Sequence, residues 1–168
     1  MITKSLARGG LIAAIYVLLT WPLQQLAFGI TILPGVPIQF RPAEALTVLP
    51  ILFPEAIPGV FIGCLLANVI SQFGMIDIVF GSLITLVAAL VTWYTRRTVM
   101  AYLSPIIFNA LLVSIYVAWF IAGEWFTTPW LIAYGQTALS IGLSQTLVII
   151  GLGVPLVAWF RKNWGKEY

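Results

Sequence analysis

The sequence predicts an all-α integral membrane protein, one bundle of six transmembrane helices over residues 1–168 with both termini in the cytoplasm. Three observations predict it. Apolar residues make up 61% of the chain and charged residues only 8%, whereas soluble domains average roughly 25% charged; a water-facing surface of this size could not be clothed. The apolar residues fall into six runs separated by Pro, Gly or charge, and mean hydropathy is +1.06. The basic residues sit in three clusters, Lys4 with Arg8, Arg96 with Arg97, and Arg161 with Lys162 and Lys166, leaving Arg41 by itself.

A helix needs about 20 apolar residues to cross the hydrocarbon core. The first run goes from Gly9 to Phe28. It is read as a span and not as a cleavable signal, because it is long and leads into Trp21-Pro22. Gly29 to Phe40 (GITILPGVPIQF) is rich in Gly and Pro and reads as a loop with extended pieces. A short second run, Pro42 to Phe53, and a third, Glu55 to Gln72, meet at a tight turn marked by Pro54 and Pro58. The fourth, Ile76 to Thr95, stops at Arg96-Arg97, and the fifth, Tyr102 to Ala122, is broken by Gly123 to Pro129. The last, Trp130 to Phe160, has 31 residues, too many for one upright span. It is expected to tilt, to kink near Pro155 or to begin outside the bilayer.

Basic residues favour the cytoplasmic side. With the N-terminus inside, the Pro54 turn, Arg96-Arg97 and Arg161-Lys162 all fall inside, while Gln72 to Asp77 and Glu124 fall outside. Trp21, Trp93, Trp125, Trp130 and Trp159 then lie near helix ends, where interfacial aromatics belong. A multi-pass protein of a prokaryotic plasma membrane is expected.

The side-chain inventory excludes much chemistry. There is no histidine, Cys64 is the one cysteine, and Asp77 is the one aspartate beside four glutamates. A Ser-His-Asp triad, a Cys-His pair and a histidine metal site cannot be built. The pattern G-x-x-x-x-G-K-[ST] is absent, so no ATPase is recognisable in the chain. Eight cations are too sparse to make the continuous basic face that nucleic acid needs. No catalytic residue, metal or cofactor is expected, and the chain is not read as an enzyme.

Polar groups at membrane depth are costly and usually face protein or a wet cavity. Gln39, Arg41 and Glu44 fall at the outer end of the second run, Asn68 and Gln72 near the outer end of the third, and Asp77 at the start of the fourth. Gln136, Ser140, Ser144 and Gln145 mark the outer half of the last run, and Asn109 lies deeper in the fifth. Most sit at one level, toward the outside, the place for a solute pocket. Blander roles compete: a helix-start pair for Arg41 and Glu44, a cap for Asp77, interhelical bonds for Asn68 and Asn109. Glu124 reads as a solvated loop charge and Glu55 as a cytoplasmic helix-start residue. In the first run Gly9, Gly10, Ala13 and Ala14 form overlapping small-xxx-small pairs, which let another helix approach closely.

Three stretches carry a resemblance: RPAEALTVLP at Arg41 to Pro50, continued by FPEAIPGVFIGCLLAN; DIVFGSLITLVAAL at Asp77 to Leu90; and PIIFNALLV at Pro105 to Val113. Together they resemble the QueT family, substrate-binding S components of energy-coupling factor (ECF) transporters, over nearly the whole chain. GGLIAA is similar to the family's AxxxA motif, with Gly10 in place of the usual alanine and Ala14 matching. The resemblance implies a queuosine precursor as solute, a deazaguanine base or queuine. It further implies a transmembrane coupling subunit and two cytoplasmic ATPase subunits as partners, and a contact of Gly10 and Ala14 with the coupling subunit. A guanine-like edge offers two donors beside a carbonyl acceptor, which a carboxylate and an amide side chain complement. Glu44 is the expected bidentate acceptor, with Asn109, Gln145 and Asn68 as amide partners. Asp77 would meet a cationic aminomethyl group, and Phe40, Tyr116 or Trp119 would stack on the base. The residues alone leave open another S component, for a vitamin such as riboflavin or thiamine, and a structural membrane protein with no solute and no polar cavity.

Overall fold

The computed structural model describes residues 2–27, 31–33, 36–37, 40–71 and 73–164, with side chains described for 3–22, 40–71 and 73–163. Helix α1 (Ile2–Ala27) is followed by two short strands, β1 (Thr31–Leu33) and β2 (Val36–Pro37), paired antiparallel. A 3₁₀ helix (Pro42–Ile51) leads through the Pro54 turn into α2 (Ala56–Asn68). A π turn (Asp77–Gly81) opens α3 (Ser82–Tyr94). A second π turn (Asn109–Val113) joins α4 (Met100–Phe108) to α5 (Ser114–Ala122), and a third (Ile149–Gly153) joins α6 (Thr128–Val148) to α7 (Val154–Trp164).

Helical segments therefore occupy all six apolar runs. Four stretches, Thr3–Pro22, Asp77–Tyr94, Met100–Ala122 and Thr128–Asn163, are long and apolar enough to cross a membrane. The other two are shorter. The ten-residue 3₁₀ helix rises about 20 Å, and the thirteen residues of α2 rise about 20 Å. Every residue of the 3₁₀ helix is buried, so it forms the axis of the bundle.

Burial is inverted relative to a water-soluble protein. Glu44, Asp77, Asn68, Asn109 and Gln145 are buried, while Leu6, Leu18, Leu147 and Ile150 are more than 60% exposed. Such a surface is stable only against lipid. With four stretches of crossing length, the chain is a multi-pass membrane protein built of helices, the short β1–β2 pair apart.

The small residues explain how α1 meets α2. A Cβ added to Gly59 would lie 2.8 Å from the Gly9 carbonyl oxygen and 3.1 Å from Ile12 Cβ. One added to Gly63 would lie 2.6 Å from Tyr16 Cβ and 3.1 Å from Ala13 Cα. Gly9 and Ala13 are thus used inside the chain, against Gly59 and Gly63. Gly10 and Ala14 are exposed, and nothing lies within 4 Å of a Cβ placed on Gly10. Gly63→Ala should push the helices apart and cost about 2 kcal/mol; thermal unfolding of the purified protein in detergent checks this, and an unchanged midpoint would refute it.

The long last run does not break at Pro155. The π turn ends two residues earlier, where the Val154 N–H bonds the Ile149 carbonyl five residues back, and the helical stretch runs on from Thr128 to Asn163. Gly153 in this turn lets it approach the 3₁₀ helix, since a Cβ there would meet Val48 Cγ2 at 3.1 Å. Pro105 is served differently. The Ala101 carbonyl, four residues before it, accepts the Thr92 hydroxyl at 3.2 Å.

One end of the bundle gathers the first turns of α1, the Pro54 turn and the end of α7. Arg8 Nη1 lies 3.3 Å from Glu55 Oε1, its guanidinium covers the Phe53 ring, and Phe53 meets Phe160 edge-on. At the opposite end, Gly123 takes a left-handed turn (φ 78°) after α5, and the Thr127 hydroxyl accepts the Trp130 N–H to start α6.

Candidate functional site

Glu44 sits in the first turn of the 3₁₀ helix and is almost fully buried. Its carboxylate is held from two sides. The Tyr16 hydroxyl of α1 donates to Oε1 at 2.5 Å, and Asn109 Nδ2 donates to Oε2 at 3.1 Å. Asn109 is the first residue of its π turn, where the widened coil turns a side chain out of ordinary α-helical register. Thr47 Oγ1 donates to the Glu44 carbonyl at 2.6 Å and tightens the same turn.

Beside this carboxylate lies a cavity of about 20 Å³, lined by Arg41, Glu44, Gly81, Thr85, Asn109, Val113, Ile141 and Gln145. It has room for about one water, whereas small-molecule pockets commonly measure about 300–1,000 Å³. Gln145 Oε1 is buried and has no hydrogen-bond partner among the described residues. The wall therefore presents carboxylate and amide oxygens as acceptors and guanidinium and amide groups as donors, around apolar Val113 and Ile141.

Directly outside it is a second polar knot. Asp77 Oδ1 accepts the Tyr116 hydroxyl at 2.6 Å, and Oδ2 accepts the Ser71 hydroxyl at 2.5 Å and Arg41 Nη2 at 3.4 Å. Asn68 Nδ2 donates to the Asp77 main-chain oxygen at 2.9 Å. Asp77 begins the first π turn, and the turn ends at Gly81. A Cβ at Gly81 would lie 2.6 Å from Asp77 Oδ1 and 3.0 Å from Asn68 Nδ2, so only glycine leaves room for the knot. Arg41, with a side chain 16% exposed, belongs to both sets: it lines the cavity and pairs with Asp77.

Of the residues expected at a solute pocket, the structure brings together Arg41, Glu44, Asn109 and Gln145 around one void. Asn68 and Asp77 lie behind its rim, bonded to each other and to Arg41, Ser71 and Tyr116. Gln136 corrects an expectation: it is exposed. It lies nine residues before Gln145, about two and a half helical turns, and so on the opposite face. Gln39 and Gln72 lie outside the described residues. The stacking candidates stand apart from the cavity wall. Phe40 is exposed, Tyr116 is bonded to Asp77, and Trp119 stacks on Trp125 at 5.6 Å. Among the described residues, no three His, Cys, Asp or Glu side chains come together as a metal site would need.

Reasoning from sequence missed Tyr16, Ser71 and Thr85, and expected of Tyr116 a stacking ring where the structure has a hydroxyl bonded to Asp77. Tyr16 carried one usable signal: it follows Ala13 by three residues, on the small-residue face that packs inward. The π turns carried none.

A family model described as QueT transporter matches residues 6–162 of the chain. No curated protein and no solved structure matches it. The match takes in α1, the 3₁₀ helix with Glu44, both π turns with Asp77 and Asn109, and Gln145, so every residue on the cavity wall falls within it. With an inverted, lipid-facing exterior and a polar interior void, the chain belongs to the QueT transporter family.

Proposed function

We propose that this transporter is the substrate-binding S component of an ECF-type ABC transporter and takes up queuosine precursors, deazaguanine bases or queuine. The single observation that carries the reading is the convergence of Glu44, Asn109, Gln145 and Arg41 on one cavity. A guanine-like edge presents a ring N–H and an exocyclic amine, which Glu44 accepts, beside a carbonyl to which the Asn109 amide donates. The free oxygen of Gln145 would take a further donor of the ring system. A site of this kind discriminates strongly, because a wrong guest leaves buried groups unpaired.

The cavity must widen to admit a base. Its walls are suited to that, since Asn109 and Gly81 lie in π turns, whose irregular coil can re-form with a neighbouring register. The segment from Gly29 to Phe40, which lies partly outside the described residues, is assigned in this reading to closing the outer mouth. Six crossings with both termini in the cytoplasm put the Arg8–Glu55 end inside and the Asp77 knot outside, in accord with the basic residues that cluster near the former. Energy comes from partners: a transmembrane coupling subunit and two ATPase subunits, with the open Gly10 and Ala14 face of α1 as the docking surface. The loaded protein would then reorient in the membrane against that assembly.

The test is a binding screen on protein purified in detergent, with native mass spectrometry of any co-purified solute. Deazaguanine bases are expected to bind and flavin, thiamine and biotin are not. Preference for one of the vitamins would overturn the solute. Binding of no small molecule would overturn the transport reading.

A further inference from the structure

In the conformation described here, both oxygens of Glu44 already hold donors: Tyr16 O–H on Oε1 and Asn109 N–H on Oε2. Two donors side by side on one carboxylate are what the edge of a guanine-type base supplies. The adjacent void of about 20 Å³ has no room for such an edge. We infer that Tyr16 is a specificity-determining residue that stands in for the solute: its hydroxyl ligates Glu44 in the contracted site, and the donor edge of the incoming base displaces it. The inference rests on the reading of Glu44 as the solute's acceptor.

The two donors are not equivalent. Asn109 lines the cavity and sits in a π turn, so it can turn its amide toward a guest and keep a bond. Tyr16 reaches Glu44 from α1, does not line the cavity and is 1% exposed. Its ring is pinned by the bare backbone of α2, which lies so close at Gly63 that an added Cβ would sit 3.0 Å from Tyr16 Cγ. With the side chain buried and the α2 backbone against its base, the hydroxyl leaves Glu44 by a shift of α1 itself. The same helix carries Gly10 and Ala14 on its open side, two turns and less from Tyr16. Occupancy of the site is in this way converted into a displacement of the α1 surface.

The arrangement sets a toll on affinity. The self-ligated conformation competes with the solute, and apparent affinity falls by the fraction of protein held in it. A buried carboxylate deprived of the Tyr16 hydroxyl lacks one bond, which the exocyclic amine of the base then supplies. Tyr16→Phe should therefore bind 7-deazaguanine about tenfold more tightly than the wild type. An otherwise identical 7-deazapurine without the exocyclic amine should gain much less. Isothermal titration of both proteins with both compounds reads this. Equal or weaker binding of 7-deazaguanine by Tyr16→Phe, with the wild type binding well, overturns the inference and leaves the transporter reading standing. Failure of the wild type to bind 7-deazaguanine overturns both. A second measurement needs no loss of the hydroxyl: 3-fluorotyrosine placed at position 16 reports its hydrogen bond through the ¹⁹F shift. Saturating 7-deazaguanine should move that resonance, and a resonance that stays put overturns the displacement.

Discussion

Glu44→Gln should lower affinity for a deazaguanine base by about a hundredfold while leaving the protein folded. The carboxylate accepts on both oxygens, from Tyr16 and Asn109. The amide keeps one acceptor and turns an N–H toward a group that also donates. Against a base, it trades a charge-assisted bond for a donor facing a donor, and charged hydrogen bonds contribute roughly 1.5–3 kcal/mol each. Folding suffers less, because Asn109 can flip its amide and offer its oxygen to the new N–H. Titration of the purified variant with the base reads the affinity, and its thermal midpoint separates a binding defect from a folding one. Unchanged affinity would remove Glu44 from the site and with it the guanine-edge chemistry.

The parts of this molecule that were legible in the sequence are those for which the bilayer sets a high energetic cost. Charge and amide groups are rare in the apolar runs, so their positions along the helices stand out, and Arg41, Glu44, Asn109 and Gln145 line one void. Helix limits were legible for the same reason: Pro54, Arg96-Arg97 and Gly123 punctuate the apolar pattern, and the helices begin and end beside them. Depth fixes height in the membrane, and rotation about the helix axis is a separate quantity. Gln136 shows the difference. It has the composition of a pocket residue but faces outward, half a turn out of phase with Gln145.

What could not be read depends on departures from regular helix. The register of Asp77 and of Asn109 is set by π turns that begin at those residues, and the carboxylate of Glu44 is presented by a ten-residue 3₁₀ helix. Neither follows from apolar periodicity, which every α-helical register of these runs satisfies almost equally well. Tyr16 was hidden by its company, since a tyrosine among Ile15, Val17 and Leu18 reads as a packing aromatic. Only the fold reveals that its hydroxyl ends on a carboxylate 28 positions away in the chain. The four small residues of α1 were visible as a group, but their division between an internal partner and an open face needed Gly59 and Gly63 in place.

Asp77→Ala should destabilise the protein by about 3 kcal/mol and weaken solute binding as well, although Asp77 does not line the cavity. The substitution strips the acceptor from Tyr116, Ser71 and Arg41 at once. The hydroxyls can find main-chain oxygens, but the guanidinium cannot remain in a mostly buried place without an anion. The nearest other carboxylate on the same cavity is Glu44. Arg41 is then drawn onto Glu44 and neutralises the group that the solute needs. The pair thus has a separating role: Asp77 holds the cation at the rim so that Glu44 stays free to accept neutral donors. A double-variant cycle tests this. Arg41→Ala in the Asp77→Ala background should recover a large part of both stability and affinity, because it removes the stranded charge. If the double variant is as impaired as the sum of the two single ones, Arg41 does not migrate and the separating role falls. Thermal unfolding in detergent and titration with the base, run on all four proteins, give the two readouts from the same preparations.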